Sequence, residues 1–285
     1  RKPVTLCLEQ GVTDVNGLEP YRTTVDETGK RHFPQYGSPR VRQIAVPTTL
    51  SGGEFNARAG VTEPRLKLKQ SYVHRGIMPI SVILDGEVTR HTPEWLFLST
   101  GIRAVDHAVE TYLSLDANDY WDGAALHALR LLGEGLTRVK ANPDDFEARQ
   151  KCLMGAWLSM TGIVSGCRLG ASHAIGHILG GTAGVPHGHT SCVMLPSVLE
   201  WNKIINSERQ ANLSEALGKP NTPASEILHD LIDGLGLPRN LTTVGVNREQ
   251  FQQLAENCML DDWTFSNPRK INTPEQVIEI LELAI

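Results

Sequence analysis

The stretch GASHAIGHILGGTAGVPHG, residues 170–188, decides how the chain is read. His173 and His177 stand four residues apart, which puts them one turn apart on a single helix face. The Gly180-Gly181 pair and the Val185-Pro186-His187-Gly188 turn then send the chain back and return His187 to the same end. A short helix with a tight return can gather three imidazoles at one point. Upstream, GIRAVDHAVETY (residues 101–112) supplies a further histidine, His107, inside a helical pattern. Neutral imidazole ligates divalent zinc or iron, and a site with an open position lets a metal polarise an alcohol or carbonyl oxygen. An i, i+4 histidine pair is equally at home on a helix surface or satisfied in a core, and from the residues alone both readings stand. His32, His74, His91, His127 and His229 have no such neighbours and read as solvated or structural. His189 reads as lying behind His187 or exposed.

Outward from this stretch the sequence is helical from Thr92 onward, where Thr92 can cap and Pro93 suits a first helical position. Apolar periodicity predicts helices over 101–114, 120–140, 145–164, 173–179, 193–202, 207–217, 224–235, 248–257 and 274–283. Residues 1–88 differ, being rich in turn residues and short β-branched runs. RQIAV (42–46) and ISVIL (80–84) read as strands ending in hydroxyl-, glycine- or acid-rich loops, the ends at which α/β sheets bind ligands. The segment between them, with Lys67, Lys69, His74 and Arg75, reads as a short hairpin or edge excursion. The expected organisation is an α/β domain over 1–88 and an all-helical domain over 89–285.

Length agrees, since 285 residues at roughly 150 per domain make about two domains. With 40% apolar and 21% charged residues, extended disorder, collagen and membrane bundles lose support. A net charge of -5 and the lack of any Lys/Arg cluster disfavour nucleic acid and leave small molecules as the expected partners. Five scattered cysteines without a CxxC argue against a disulfide framework or a thiolate zinc site, so a reducing, cytoplasmic compartment is expected. No run of 18 apolar residues and no signal peptide can be read, so no membrane partner is expected.

At these motifs the chain resembles the iron-containing (group III) alcohol dehydrogenase family, and within it the maleylacetate reductase branch. The resemblance runs over nearly the whole sequence. It rests on VPTTLSGGEF (46–55), VILDGEVTRHTP (82–93), STGIRAVDHAVETYLS (99–114), ASHAIGHILGGTAGVPHG (171–188), VMLPSVLEWN (193–202) and NPRKINTPEQVIEIL (267–281). The spacing from Pro47-Thr48-Thr49 to Glu54 is one residue shorter than in the alcohol dehydrogenases and is similar to the reductase pattern. The resemblance implies a dehydroquinate synthase-like fold, with an α/β N-terminal dinucleotide-binding domain, an all-α helical C-terminal domain and an active site in the cleft between them. It implies that Thr48 and Thr49 hydrogen-bond the phosphates or nicotinamide ribose of NAD(P)H, with Ser51 close by and Lys69 along the cofactor ribose. It also implies that His107, His173 and His187 hold Fe2+ or Zn2+ and that His177 stands beside the nicotinamide. Without the family, Thr48 and Thr49 read equally as a plain strand-end turn.

Two departures from the family pattern matter. The family's fourth metal ligand is an aspartate one helical turn before the first histidine, and that position holds Arg103 here. A guanidinium cannot ligate a cation and repels it, by roughly 4 kcal/mol at 4 Å and an intermediate dielectric. Asp106 and Glu110 could substitute only after local rearrangement. Maleylacetate reductases resemble this chain in lacking the aspartate. Arg103 can instead bind a carboxylate or a developing oxyanion, or pair with Asp106 or Glu110 as a structural ion pair. The second departure is the Gly-Gly-Gly-Ser phosphate loop of the family, which would precede Arg1, so the dinucleotide domain is expected to lack its first half.

The expected activity is an NAD(P)-dependent reduction of maleylacetate or a similar oxo-acid by hydride transfer. Arg103 and His177 are its catalytic residues, with His177 relaying the proton. The alternatives are a metal-dependent alcohol dehydrogenase acting on small alcohols or aldehydes, and an inactive fragment serving as a helical binding module. A homodimer is the expected assembly.

Overall fold

A computed structural model describes residues 2–26, 31–63 and 68–285, and of residues 25, 31, 62, 63, 68 and 69 the backbone alone. The chain divides into two compact units, Arg1–Pro47 with Gly53–Leu84, and Thr48–Gly52 with Asp85–Ile285.

The first unit opens with helix α1 (Lys2–Gln10), followed by an antiparallel ladder of β1 (Thr24–Val25) and β2 (Arg31–His32). Strand β3 (Ile44–Ala45) comes next, then a hairpin of β4 (Arg58–Glu63) and β5 (Leu68–Val73), paired from Arg58↔Val73 to Glu63↔Leu68. That hairpin is the excursion expected between the two strands, although Lys67 lies outside the described residues. Strand β6 (Ser81–Val82) runs parallel to β3. The strands expected over 42–46 and 80–84 are present but short, two residues each, flanked by N–H bonds from Ile80 to Gln43 O and from Ile83 to Ala45 O. Among the described residues these six strands form three two-stranded ladders and no continuous sheet. Leu6, Tyr72 and Ile77 are fully buried at the centre of the unit, with Leu18, Tyr21 and Tyr36 packed against them.

The second unit is helical: α2 (Glu94–Leu113), α3 (Asp119–Ala141), α4 (Phe146–Ser159), α5 (Thr161–Val164), α6 (Ala171–Thr182), α7 (His187–Ala216), α8 (Ala224–Gly234), α9 (Phe251–Cys258), α10 (Asp262–Phe265) and α11 (Pro274–Leu283). Every residue of α2 from Phe97 to Leu113 is buried, so this helix threads the core and α3, α4, α6 and α7 pack around it. A helix buried all round must find partners for each polar group it carries. Several boundaries differ from expectation. Helix α2 begins at Glu94, since Pro93 occupies the cap position and the Thr92 hydroxyl donates to Thr48 O at 2.7 Å instead of capping. The helix expected over 145–164 breaks at Met160, whereas the two expected over 193–202 and 207–217 are found as two helices meeting at a kink at the non-helical Asn206, labelled together as α7. No described helix is long and apolar enough to cross a membrane.

Helices α3 and α4 approach closely through glycine. A Cβ on Gly155 would stand 2.7 Å from Leu132 Cγ and 3.2 Å from Ala128 O, and one on Gly135 would stand 3.0 Å from Ala148 O. Side chains can yield, but helix backbone cannot without separating the pair. Gly155→Val should therefore destabilise the chain by about 1–3 kcal/mol by overpacking, read as a lower urea midpoint with an unchanged slope.

Candidate active site

Helix α2 carries Arg103, Asp106, His107 and Glu110 within two turns, spaced so that they crowd one side of the helix. That side meets the first turn of α6. The Glu110 carboxylate accepts backbone N–H bonds from Gly170 (3.0 Å), Ser172 (2.8 Å) and His173 (3.3 Å), and His173 Nδ1 lies 2.8 Å from Glu110 Oε2. A buried carboxylate thus caps the donors that α6 leaves unpaired, in the favourable field of its N-terminus. Asp106 Oδ2 accepts hydroxyl bonds from Ser172 (2.8 Å) and from Ser191 of α7 (2.6 Å). Arg103 Nη1 donates to the same Ser191 hydroxyl at 2.9 Å and lies 3.7 Å from Asp106 Oδ2. It also packs beneath α6, where a Cβ on Gly176 would stand 3.4 Å from it.

The four histidines singled out in the sequence gather around this network. His107 and His173 stack with ring centroids 5.0 Å apart, and His177 and His187 face each other nearly parallel at 6.4 Å. Trp263 joins the two pairs, 5.8 Å from His173 and 5.1 Å from His177. The group grades from closed to open, with His107 and His173 buried, His177 partly so and His187 exposed. Burial, and then the Arg103 charge, hold both His107 and His173 well below the ordinary histidine range, so both rings are neutral near pH 7. Four buried polar atoms here have no hydrogen-bond partner among the described residues: Arg103 Nε, Asp106 Oδ1, His107 Nδ1 and His173 Nε2. Native interiors rarely tolerate such atoms, and their convergence marks a place built for a polar ligand.

Asp261 and Trp263 were not found from the sequence. Asp261 Oδ2 lies 2.9 Å from His177 Nδ1, and its Oδ1 accepts the Trp263 N–H at 2.9 Å as the cap of α10. The Asp-x-Trp cap signal is legible in a sequence, but its proximity to His177, 84 positions earlier, is not.

The loop Thr48–Gly52 groups with the helical unit, held by Leu50 N–H donating to Thr100 Oγ1 at 3.1 Å. Thr49 Oγ1 and Ser51 Oγ lie 3.0 Å apart, and Thr48 accepts the Thr92 hydroxyl through its carbonyl. Gly52 has φ +66°, and a Cβ there would stand 2.7 Å from Met160 Cγ. Lys69 pairs with Thr62 in the hairpin, and its side chain lies outside the described residues. His189 is half-buried with its ring edge-on to Trp95 at 5.7 Å, apart from the four-histidine group.

The helical unit thus gathers four histidines, an arginine and two acids into one cluster. Residues 97–285 match the model of the Fe-containing alcohol dehydrogenase family, C-terminal domain, and the chain belongs to that family. It is 33% identical to the maleylacetate reductase of Burkholderia cepacia, a match covering 80% of this chain and 63% of that protein. It is 31% identical to the NAD-dependent methanol dehydrogenase of Bacillus methanolicus, covering 87% of this chain and 67% of that one. The crystal structure of maleylacetate reductase from Rhizobium sp. strain MTP-10005 superposes with a TM-score of 0.77 at 29% identity, over 86% of this chain and 67% of that chain. The chain therefore spans less than two thirds of the length of the first of these relatives.

The family's name implies iron, and the donor set can be weighed against it. Three neutral imidazoles suit a divalent ion, and His173, engaged through Nδ1, keeps Nε2 for it. The sequence position that the resemblance assigns to a fourth ligand holds Arg103, a fixed positive charge with no lone pair. Asp106, Glu110 and His173 also stand close enough to suggest an alternative metal cluster. However, three oxygens of the two carboxylates are engaged by backbone, hydroxyl and imidazole donors, and His173 Nδ1 faces Glu110. The residues present do not fit a divalent metal.

Burial pushes Asp106 up to about 6, against Arg103 and two serine hydroxyls. Burial, and then Asp106, push Glu110 up to about 8 against its three backbone donors. Both values lie above those of an unfolded chain, so these groups add stability that is complete below about pH 4 and lost as pH rises through 6 to 8. Glu110→Gln carries no charge at any pH. Its stability relative to the parent should improve as pH rises from 5 to 8.5 in urea titrations, and a drift the other way would show that the α6 amides hold Glu110 ionised.

Proposed function

We propose that this chain carries the substrate half of an NAD(P)H-dependent reductase that acts on a small oxo-acid without a divalent metal. The observation that carries the reading is Arg103, a buried guanidinium among neutral imidazoles at the position where metal-dependent relatives would need a ligand. A fixed cation there gives the pocket the polarity that a metal would have given, and it selects an anionic substrate. The finer substrate, maleylacetate or a related oxo-acid, is supported by the 33% identity to a maleylacetate reductase.

Reduction of a carbonyl or enone leaves negative charge on oxygen, and a preorganised N–H donor facing that oxygen stabilises it more in the transition state than in the ground state. Arg103 supplies such donors and is held in place by Ser191 and Asp106. His107 and His173 stand near it as neutral rings, so they add polarity without competing for an anion. His177 relays the proton that the product oxygen needs, taking it up and giving it from one and the same ring nitrogen. The nicotinamide, when bound, supplies the hydride. The exposed hydroxyl of Ser51 and the neighbouring Thr49 hydroxyl suit ribose or phosphate oxygens of such a dinucleotide, with Thr48 and Lys69 proposed alongside them.

Oxidation of NAD(P)H, followed by absorbance with maleylacetate and with simple aldehydes, tests the reading. Turnover of the oxo-acid should be unchanged by chelator, and complete loss of activity with chelator would overturn the metal-free mechanism. Arg103→Gln should lower kcat/KM for the oxo-acid by about 10²–10³-fold, the usual effect of deleting one oxyanion donor. Arg103→Asp removes the repulsion and adds a carboxylate beside three imidazoles. The purified variant should therefore carry divalent metal that the parent lacks, measured by elemental analysis, and no gain would count against the lost-ligand account.

A further inference from the structure

We propose that Asp261 is the positioning residue for His177, holding its ring in the tautomer that protonates Nδ1 and leaves the lone pair on Nε2. Both carboxylate oxygens of Asp261 are committed, Oδ1 to the Trp263 N–H at 2.9 Å and Oδ2 to His177 Nδ1 at 2.9 Å. An ionised carboxylate only accepts, so the facing ring nitrogen must donate. The backbone that carries Asp261 is fixed in turn. Its N–H donates to Cys258 O at 3.0 Å, and the Thr264 hydroxyl donates to the same carbonyl at 2.6 Å. Trp263, the second residue of α10, lies against the His177 ring with centroids 5.1 Å apart and a 32° tilt, which restricts rotation of the imidazole. His177 is therefore held at one nitrogen by a capped acid and on one face by an indole, and Nε2 is the single ring atom left to exchange a proton.

The tautomer is a property of this chain alone, whereas its kinetic consequence rests on the reductase reading above. Asp261→Asn is isosteric and keeps the cap, because Oδ1 still accepts the Trp263 N–H. It then turns its amide donor toward His177 Nδ1, which must accept and so moves the proton to Nε2. The full chain labelled with 15N-histidine is examined by NMR at a pH where the ring is neutral, and the His177 signals are identified by their loss in His177→Gln. The parent should show a protonated Nδ1 and a bare Nε2. Asp261→Asn should show the reverse, and Asp261→Glu, which retains an acceptor, should return the parent pattern.

In the NADH-driven assay, Asp261→Asn should lower kcat by about 10²–10⁴-fold, the range for losing general acid–base assistance, with KM unchanged and with activity partly restored in Asp261→Glu. The same nitrogen pattern in parent and Asp261→Asn would overturn the proposal. So would a reversed pattern with kcat intact. If the parent turns over no carbonyl compound, the reductase reading fails and the nitrogen pattern alone decides the role of Asp261.

Discussion

The arrangement depends on one buried contact, the carboxylate of Glu110 against the first turn of α6. A helix start leaves several N–H groups without partners, and in a core no water is available to take them. Glu110 takes three, and its fourth neighbour is the His173 ring. The contact fixes the axial register of α6 against α2 and aims the first histidine of the cluster. It also explains why α2 can be buried along most of its length while carrying two acids, an arginine and a histidine within two turns.

Charge in this interior is balanced locally. Arg103 faces Asp106 across 3.7 Å, and Glu110 lies one turn further along. Desolvation penalises the guanidinium and both acids, and it pushes both acids toward their neutral forms, Glu110 furthest. The imidazoles respond by staying neutral, which leaves Arg103 as the fixed positive centre among them.

Much of this was legible in the sequence because it follows from local spacing. The i, i+4 relation of His173 and His177, with a glycine-rich return to His187, specified three of the four clustered rings, and His107 stood out inside the helical pattern upstream. Arg103 stood out as a charge at a ligand position. What spacing could not give was the identity of partners brought from afar. Ser191 binds Arg103 from another helix, and Asp261 reaches His177 from a loop between two short helices. Neither residue belongs to a motif whose spacing names its partner. Both expected strands are present but short, and the two helices expected over 193–202 and 207–217 meet at a kink at Asn206.

The five residues from Thr48 to Gly52 have a mechanical consequence. They leave the segment on either side of them and settle on the helical unit, tied to α2 through Thr100 and wedged by a left-handed glycine against Met160. The hydroxyls of Thr49 and Ser51 and the guanidinium of Arg103 therefore belong to one stiff frame. A molecule that spans them meets donors whose mutual spacing is already set, and little ordering entropy is lost when it docks.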